Sequence, residues 1–381
     1  CDGTARARVM FPWSVPTRPP SSLDPLPAAT PRVAGAPVSY TATARNGSNV
    51  LYSWFFDDGT PNTEPSSSPA ITHAFAQPGI YYVTVTATSE GTPAQSQTVT
   101  QVIHRPLTAH KPAMSSNIVF DGLTNRLWVA NQDNDTVSVF NAATNAKLAE
   151  IAVGSGPRTL AVAPDGNVWV ANKHAATLSI INPSTLTVSR TIAMPFASQP
   201  FGIAFAPTGG FAYVALEARG AVLKLDAATG AVLASVAVGR SPRHVSVDAD
   251  GAHLYVSRFI TPPLPGEHTA QVVPGAAGGE VLRVAAASMT ILGTITLGYS
   301  DLPDFEIQGS GIPNYLGAVA LSPDGLSAWV PSKQDNVLRG SLRSGANLNF
   351  QNTVRAIASP IDLTTGVAEV NSGVDLHNAS L

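Results

Sequence analysis

The sequence predicts an all-β protein, an immunoglobulin-like sandwich followed by a β-propeller built from four-stranded blades. Three observations lead there. Apolar and polar residues alternate with period two in one short segment after another, as they do in half-buried strands. Asn-Gly, Asp-Gly and Pro-Gly turns separate those segments, in a chain of 381 residues that holds 31 Gly and 31 Pro. From residue 112 onward the sequence repeats itself at a spacing of about 42 residues, the length of a propeller blade.

Composition narrows the function classes. Hydrophobic residues make up 44% of the chain and charged residues only 12%, a balance that folds rather than stays disordered. The net charge of −3 leaves no electrostatic footprint for nucleic acid. Of the 22 basic residues, 17 are Arg and five are Lys, so hydrogen-bonding forks outnumber flexible surface charges. No apolar run reaches the roughly 18 residues of a membrane-spanning helix. The one cysteine is Cys1, which excludes a disulfide framework, a Cys-based zinc site and a CxxCH haem attachment within these residues.

Residues 1–32 read as a Pro-rich N-terminal tether. Residues 11–32 hold seven prolines, which favour an extended, semi-rigid spacer. A chain opening on Cys1 is similar to a bacterial lipoprotein, which implies lipid on Cys1 and a membrane contact through that anchor alone. A start set by some other boundary is the simpler alternative.

Residues 33–106 read as a β-sandwich. Strands are expected over 38–43, 51–56, 81–87 and 97–102, enough for an immunoglobulin-like domain. Trp54 fits a core plug, Asp58-Gly59 a turn, and Pro78-Gly79 the start of the strand carrying Tyr81 and Val83. Trp54-Phe55-Phe56-Asp57-Asp58-Gly59, His73-Ala74-Phe75 and Pro78-Gly79-Ile80-Tyr81-Tyr82-Val83 resemble the signatures of the PKD domain in order and spacing. That resemblance implies a spacer or adhesion module of extracellular proteins. His73 has no second His or Cys nearby in sequence, so a structural role is expected for it.

Residues 112–381 read as the propeller. Trp128-Val129-Ala130-Asn131 returns as Trp169-Val170-Ala171-Asn172, Tyr213-Val214-Ala215-Leu216, Tyr255-Val256-Ser257-Arg258 and Trp329-Val330-Pro331-Ser332, at steps of 41, 44, 42 and 74. Turns such as Pro164-Asp165-Gly166 and Pro323-Asp324-Gly325 precede each copy, and strands such as Thr136–Phe140 follow it. The pattern resembles YVTN-family propeller repeats, which implies an exported or cell-surface protein; more distant propellers bind haem or hydrolyse lactones. Five blades are visible, the first expected to begin near Ala113 with its innermost strand. Seven is the familiar number for such repeats, so the ring is expected to be incomplete here, short by two blades or roughly 84 residues.

Candidate functional residues gather on one propeller face. Arg158 and the pair Arg243-His244 follow Gly-x-x-Pro turns where inner strands begin, beside the central channel. Lys173-His174 lie on a loop between second and third strands of the same face. Two insertions, 259–280 and 299–313, stretch the last repeat interval on that face, and long loops are uncommon unless functional or disordered. Asp301, Asp304 and Glu306 offer hard oxygen ligands suited to Ca²⁺, outside any EF-hand spacing. No GxSxG, HExxH or GxxxxGK[ST] motif occurs and no catalytic residue is assigned. Gly311-Ile312-Pro313-Asn314-Tyr315, Pro331-Ser332-Lys333-Gln334-Asp335-Asn336 and Thr353-Val354-Arg355-Ala356-Ile357 resemble a stretch of large exported bacterial proteins in which the propeller precedes a c-type haem domain; haem would then require a further domain.

The expected function is an exported, periplasmic or cell-surface binding or scaffolding protein. Its expected partner is a protein or a surface glycan, met through loops 259–280 and 299–313. The alternative is the recognition half of a haem oxidoreductase, or a propeller lyase or lactonase using the channel mouth.

Overall fold

The computed structural model describes residues 22–27, 29–89, 93–104, 113–262, 278–303, 309–336, 354–368 and 373–376. The chain divides into two units, Cys1–Pro106 and Leu107–Leu381, and its described elements are strands apart from one short 3₁₀ turn at Glu217–Arg219.

The first unit is a β-sandwich. One sheet orders Arg32–Val33, Gln95–His104, Gly79–Thr88 and Leu51–Phe55; facing strands Pro37–Thr41 and Ala70–Ala74 pair separately. Alternation places Val38, Tyr40, Trp54, Val83 and Val85 inward, where they form one buried cluster with Phe56 and Phe75. Phe56 stacks on His73 at 3.8 Å, and the His73 Nε2 lies 2.6 Å from Asp58 Oδ2. Burial pushes the Asp58 carboxyl up, but bonds from Thr60 and His73 outweigh it and hold the carboxyl below its ordinary value. His73 thus closes the Asp58-Gly59 turn onto the core.

The sandwich reaches back beyond the expected boundary at 33. Ser22–Leu23 pairs with Ala44–Arg45, and Leu23 is buried in the sandwich core. Gln101 is fully buried; it accepts from the Tyr40 hydroxyl at 3.0 Å and donates to Thr30 O at 3.0 Å. Leu23 and Thr30 thus belong to the sandwich: the one fills its core and the other satisfies a buried amide. Cys1 and residues 2–21 lie outside the described residues.

The described residues of the second unit form five propeller blades. Blades 1 to 3 are four-stranded meanders: Ile118–Asp121 to Lys147–Ala152, Pro157–Val162 to Thr187–Ala193, and Pro200–Phe205 to Val232–Ala237. Blade 4 runs from Pro242–Val247 through His253–Arg258 and Gly278–Ala285 to Thr290–Gly298. In blade 5, Ser327–Asp335 pairs with Ile312–Asn314 and Ala320–Leu321 on one side and Val354–Asp362 on the other. The repeated Asn ties the second strand of its blade to the third. Asn131 donates to the Thr136 and Ser138 hydroxyls at 2.9 Å, and Asn172 makes the same bonds to Thr177 and Ser179.

One expectation is overturned. Ala113–Met114 is not the inner strand of blade 1; it pairs antiparallel with Ser246 and Val247, as a fifth strand on the inner edge of blade 4. Ser116 then bridges Leu160 of blade 2, and the blade 1 inner strand begins at Ile118. The segment 113–116 therefore crosses between the inner strands of blades 4 and 2. The exposed inner edge of blade 4 offers unpaired backbone groups, and adding a strand satisfies them.

Candidate functional site: the channel mouth

The inner strands approach closely around residues 113–116. Ser115 N donates to Val245 O at 2.9 Å, Val245 N donates to Ser115 Oγ at 2.9 Å, and Ser115 Oγ lies 3.4 Å from His244 Nδ1. Gly202 is required at this crossing, since a Cβ there would sit 2.3 Å from Arg243 O and 2.9 Å from Ser115 Oγ. The segment 113–116 is thus packed against the inner strands of blades 2, 3 and 4.

Arg243 follows the turn Gly239-Arg240-Ser241-Pro242, and Lys173 follows the second strand of blade 2. Lys173 and Arg243 are brought together by Glu217, a residue of the 3₁₀ turn in blade 3. Lys173 Nζ donates to Glu217 Oε2 at 2.6 Å and Arg243 Nε donates to Oε1 at 2.9 Å. All three side chains are largely buried. Such a triad holds together because two cations share one carboxylate and none is left desolvated alone.

Aromatic rings extend this cluster. The Arg243 guanidinium lies 3.3 Å from the Phe259 centroid and 5.0 Å from that of Phe201, and Lys173 Nζ is 5.6 Å from Phe201. Phe259 stacks on Tyr315 at 4.4 Å and 16°, and Lys333 Nζ lies 4.0 Å from the Tyr315 centroid. The outcome is a continuous row of cations and rings: Lys173, Phe201, Arg243, the stacked pair Phe259 and Tyr315, and Lys333. Cation–π contacts of this kind contribute about 0.5–1 kcal/mol each where exposed and more where desolvated. Tyr315 has φ 53°, a conformation costly for a bulky L-residue, and it keeps a half-exposed ring. It is held there by Asn314, whose Oδ1 accepts from Tyr315 N and Thr261 N and whose Nδ2 donates to Asp335 at 2.9 Å. Thr261 also donates to Pro313 O at 2.6 Å, so the roots of the two insertions are joined.

The other expected residues fall as follows. Arg158 is not part of the triad: its Nη1 donates to Gln132 Oε1, and its Nε is buried without a hydrogen-bond partner. His174 is exposed, its ring lying over Gly156. The His244 imidazole is held neutral, its pKa lowered to about 4 first by burial and then by the Arg243 charge, with Glu217 opposing. Asp301 is exposed; Asp304 and Glu306 lie outside the described residues, as do 263–277 of the first insertion. Glu217, Phe259, Tyr315 and Lys333 were not assigned from sequence. Nothing in the spacing of Glu217 or Lys333 shows which groups they meet, since those partners lie on other elements or are set by the fold.

A second cluster lies between blades 4 and 5 at their turn ends. A cavity of about 340 Å³ is lined by Asp248, Asp250, His253, Arg283 and Asp324. Asp248 stands where the other repeats have the uncharged residues Val119, Ala163, Ala206 and Ser322, so the repeat itself carries the signal of a local departure. Asp248 Oδ2 lies 2.7 Å from His253 Nδ1, and Arg283 Nη2 lies 3.0 Å from His253 Nε2. A guanidinium only donates, so Nε2 accepts and Nδ1 carries the proton given to Asp248. That tautomer leaves Nδ1 no lone pair for a cation, although Asp248, Asp250 and His253 stand within metal-ligand reach of one another. Burial pushes the Asp248 carboxyl up, while the Ala252 amide first of all holds Asp250 down.

Comparisons with known proteins agree with the two-part architecture. Residues 26–102 match the PKD domain and residues 108–260 match the YNCE-like β-propeller. The propeller half is thus matched as YNCE-like, where its repeats suggested the YVTN family. No curated protein matches the chain. Among solved structures, a hydrazine synthase chain from Kuenenia stuttgartiensis is 20% identical with a TM-score of 0.53, over 69% of this chain and 66% of that one. The chain therefore spans just under two thirds of that neighbour, and the likeness is one of fold. Virginiamycin B lyase from Staphylococcus aureus is 10% identical with a TM-score of 0.44, over 76% of this chain and 80% of that one.

Proposed function

We propose that this chain is an exported, surface-acting binding protein whose propeller presents its channel-mouth face to an acidic surface glycan. The single observation that carries the reading is the row from Lys173 to Lys333, close to the segment 113–116 that pairs with the blade 4 inner strand. Tyr315 offers a half-exposed ring to a sugar face, and Lys333, 4.0 Å from that ring and 2.9 Å from Asp335, offers a cation to a carboxylate, the chemistry of acidic polysaccharide recognition. The PKD match supports an extracellular setting, since such modules resemble spacers and adhesion surfaces. An enzyme using the channel mouth would need an open pocket between Arg158, Arg243 and His244; the bonds of Ser115 to Val245 count against it.

The test is retention on immobilised alginate, a polyuronate, against neutral dextran. The expected result is salt-sensitive retention on alginate, weakened at least about tenfold by Tyr315→Ala or Lys333→Ala, in line with about 1.4 kcal/mol per decade. Equal retention of wild type and both variants, or none by any, would reject the mouth face as a glycan site and return the partner to the protein class.

A further inference from the structure

The connections from one blade into the next are unequal. Blades 1 and 3 are left through four residues, 153–156 and 238–241, before Pro157 and Pro242 open the next inner strand. Blade 2 is left through six, 194–199. Within them Pro195, Phe196 and Ala197 are consecutive, apolar and exposed, and Phe196 at 90% is the most exposed large apolar side chain among the described residues. The base of the loop is fixed. Met194 N donates to Ala176 O at 2.9 Å, Glu217 N to Gln199 O at 3.0 Å and Ala218 N to Ser198 O at 3.1 Å, while the Met194 and Ser198 side chains are buried. Ala197 and Gln199 both take φ 54°, a conformation costly for residues other than Gly, so the ring is held in water against two local preferences. Blades 2 and 3 each have a described blade on either side, so the loop does not belong to an end of the array.

The turns beside the loop are cationic. Arg219 Nη2 donates to Phe196 O at 3.2 Å, and Gly239 N donates to Gly220 O at 3.1 Å, which sets Arg240 on the next turn. Both Arg side chains are exposed, and among the described residues neither meets a carboxylate. The carboxylate of these turns, Glu217, is taken by Lys173 and Arg243.

We propose that loop 194–199 seats Phe196 in the interfacial layer of an anionic lipid bilayer, with Arg219 and Arg240 on the headgroup phosphates. Three consecutive exposed apolar residues are disfavoured in water unless they meet an apolar medium. The apex Pro195-Phe196-Ala197 carries no side-chain donor or acceptor with which to read a sugar or a peptide, so the medium it fits is one that asks for no specific polar contact. Charge complementarity selects the lipid: guanidiniums pair with phosphate oxygens, and an apolar wedge beside basic residues is how a protein lies on an anionic membrane surface. One ring and two cations give a reversible contact rather than an anchor. The glycan site rests on other residues, Tyr315 and Lys333, so either can fail without the other.

Co-sedimentation of the 381-residue chain, with Cys1 unmodified, on phosphatidylglycerol vesicles and on phosphatidylcholine vesicles tests this directly. Wild type is expected to bind the anionic vesicles alone, less so as salt rises. Phe196→Ser should lower the partition coefficient at least about fivefold, through loss of the buried ring. Arg219→Gln and Arg240→Gln should each lower it about fivefold and flatten the salt dependence. Phe196→Trp should bind at least as tightly as wild type, because indole favours the interface. The ring makes little contact within the chain, so the melting temperatures of the Phe196 variants should match that of wild type. A wild type that ignores anionic vesicles overturns the proposal, as does equal binding to neutral ones. So does a Phe196→Ser variant that binds as wild type does, and if that variant instead loses retention on alginate, the loop belongs to the glycan.

Discussion

Glu217 holds Lys173 and Arg243 on separate carboxylate oxygens, one ammonium at 2.6 Å and one guanidinium at 2.9 Å, and so ties blades 2 and 4 through blade 3. Removing the carboxylate charge leaves two desolvated cations facing each other. Glu217→Gln should therefore destabilise the propeller by about 3 kcal/mol, the scale of breaking a buried pair. Adding Lys173→Met should return part of that loss. Urea denaturation of the three proteins measures it, and an unchanged midpoint in Glu217→Gln would show that the triad carries no net stability.

Gly202 permits the approach of the blade 3 and blade 4 inner strands. A Cβ there meets backbone, Arg243 O at 2.3 Å, which cannot swing aside. Gly202→Ala should cost more than about 2 kcal/mol, as overpacking of a tight core does. Gly166→Ala serves as a control: its Cβ meets nothing within 4 Å, and only its φ of +85° is unfavourable. Thermal unfolding should rank Gly202→Ala below the control.

His244 makes the propeller sensitive to acid. Its folded pKa of about 4 lies below the ordinary 6.5, so between those values the unfolded chain takes up a proton that the folded one does not. Stability from this group is present above about pH 6.5 and falls as pH drops toward 4. The loss is bounded by about 3 kcal/mol, from about 1.4 kcal/mol per pH unit. His244→Gln should flatten the stability curve over this window; a curve parallel to wild type would exclude the imidazole as the cause.

Arg283 sets the tautomer of His253 and thereby keeps Nδ1 from acting as a metal ligand. Arg283→Met frees Nε2 to carry the proton and Nδ1 to bind. Zn²⁺ should then raise the melting temperature of Arg283→Met by about 2 °C or more, as a ligand of the native state does. The wild type should not respond through this site, and His253→Gln added to the variant should abolish the shift. A wild-type shift that His253→Gln removes would reverse the assignment.

Most of the architecture was written locally. Period-two alternation and the Trp/Tyr-Val-Ala repeat at about 42 residues determined sandwich and blades, because strand faces and turn chemistry are properties of neighbouring residues. The same locality placed Arg158, Lys173, Arg243 and His244 on loops and strand starts of one face. Tertiary structure alone decided what they met: Glu217 lies 44 residues from Lys173 and 26 from Arg243. Likewise Leu23 reads as tether until its burial against the sandwich is seen, and Ala113–Met114 as a first blade strand until it pairs with Ser246 and Val247, over 130 residues on. A short apolar segment carries the same alternation whichever strand it joins. Its partner is selected by which sheet edge lacks hydrogen bonds and which core face lacks cover, and those exist only once the blades have assembled.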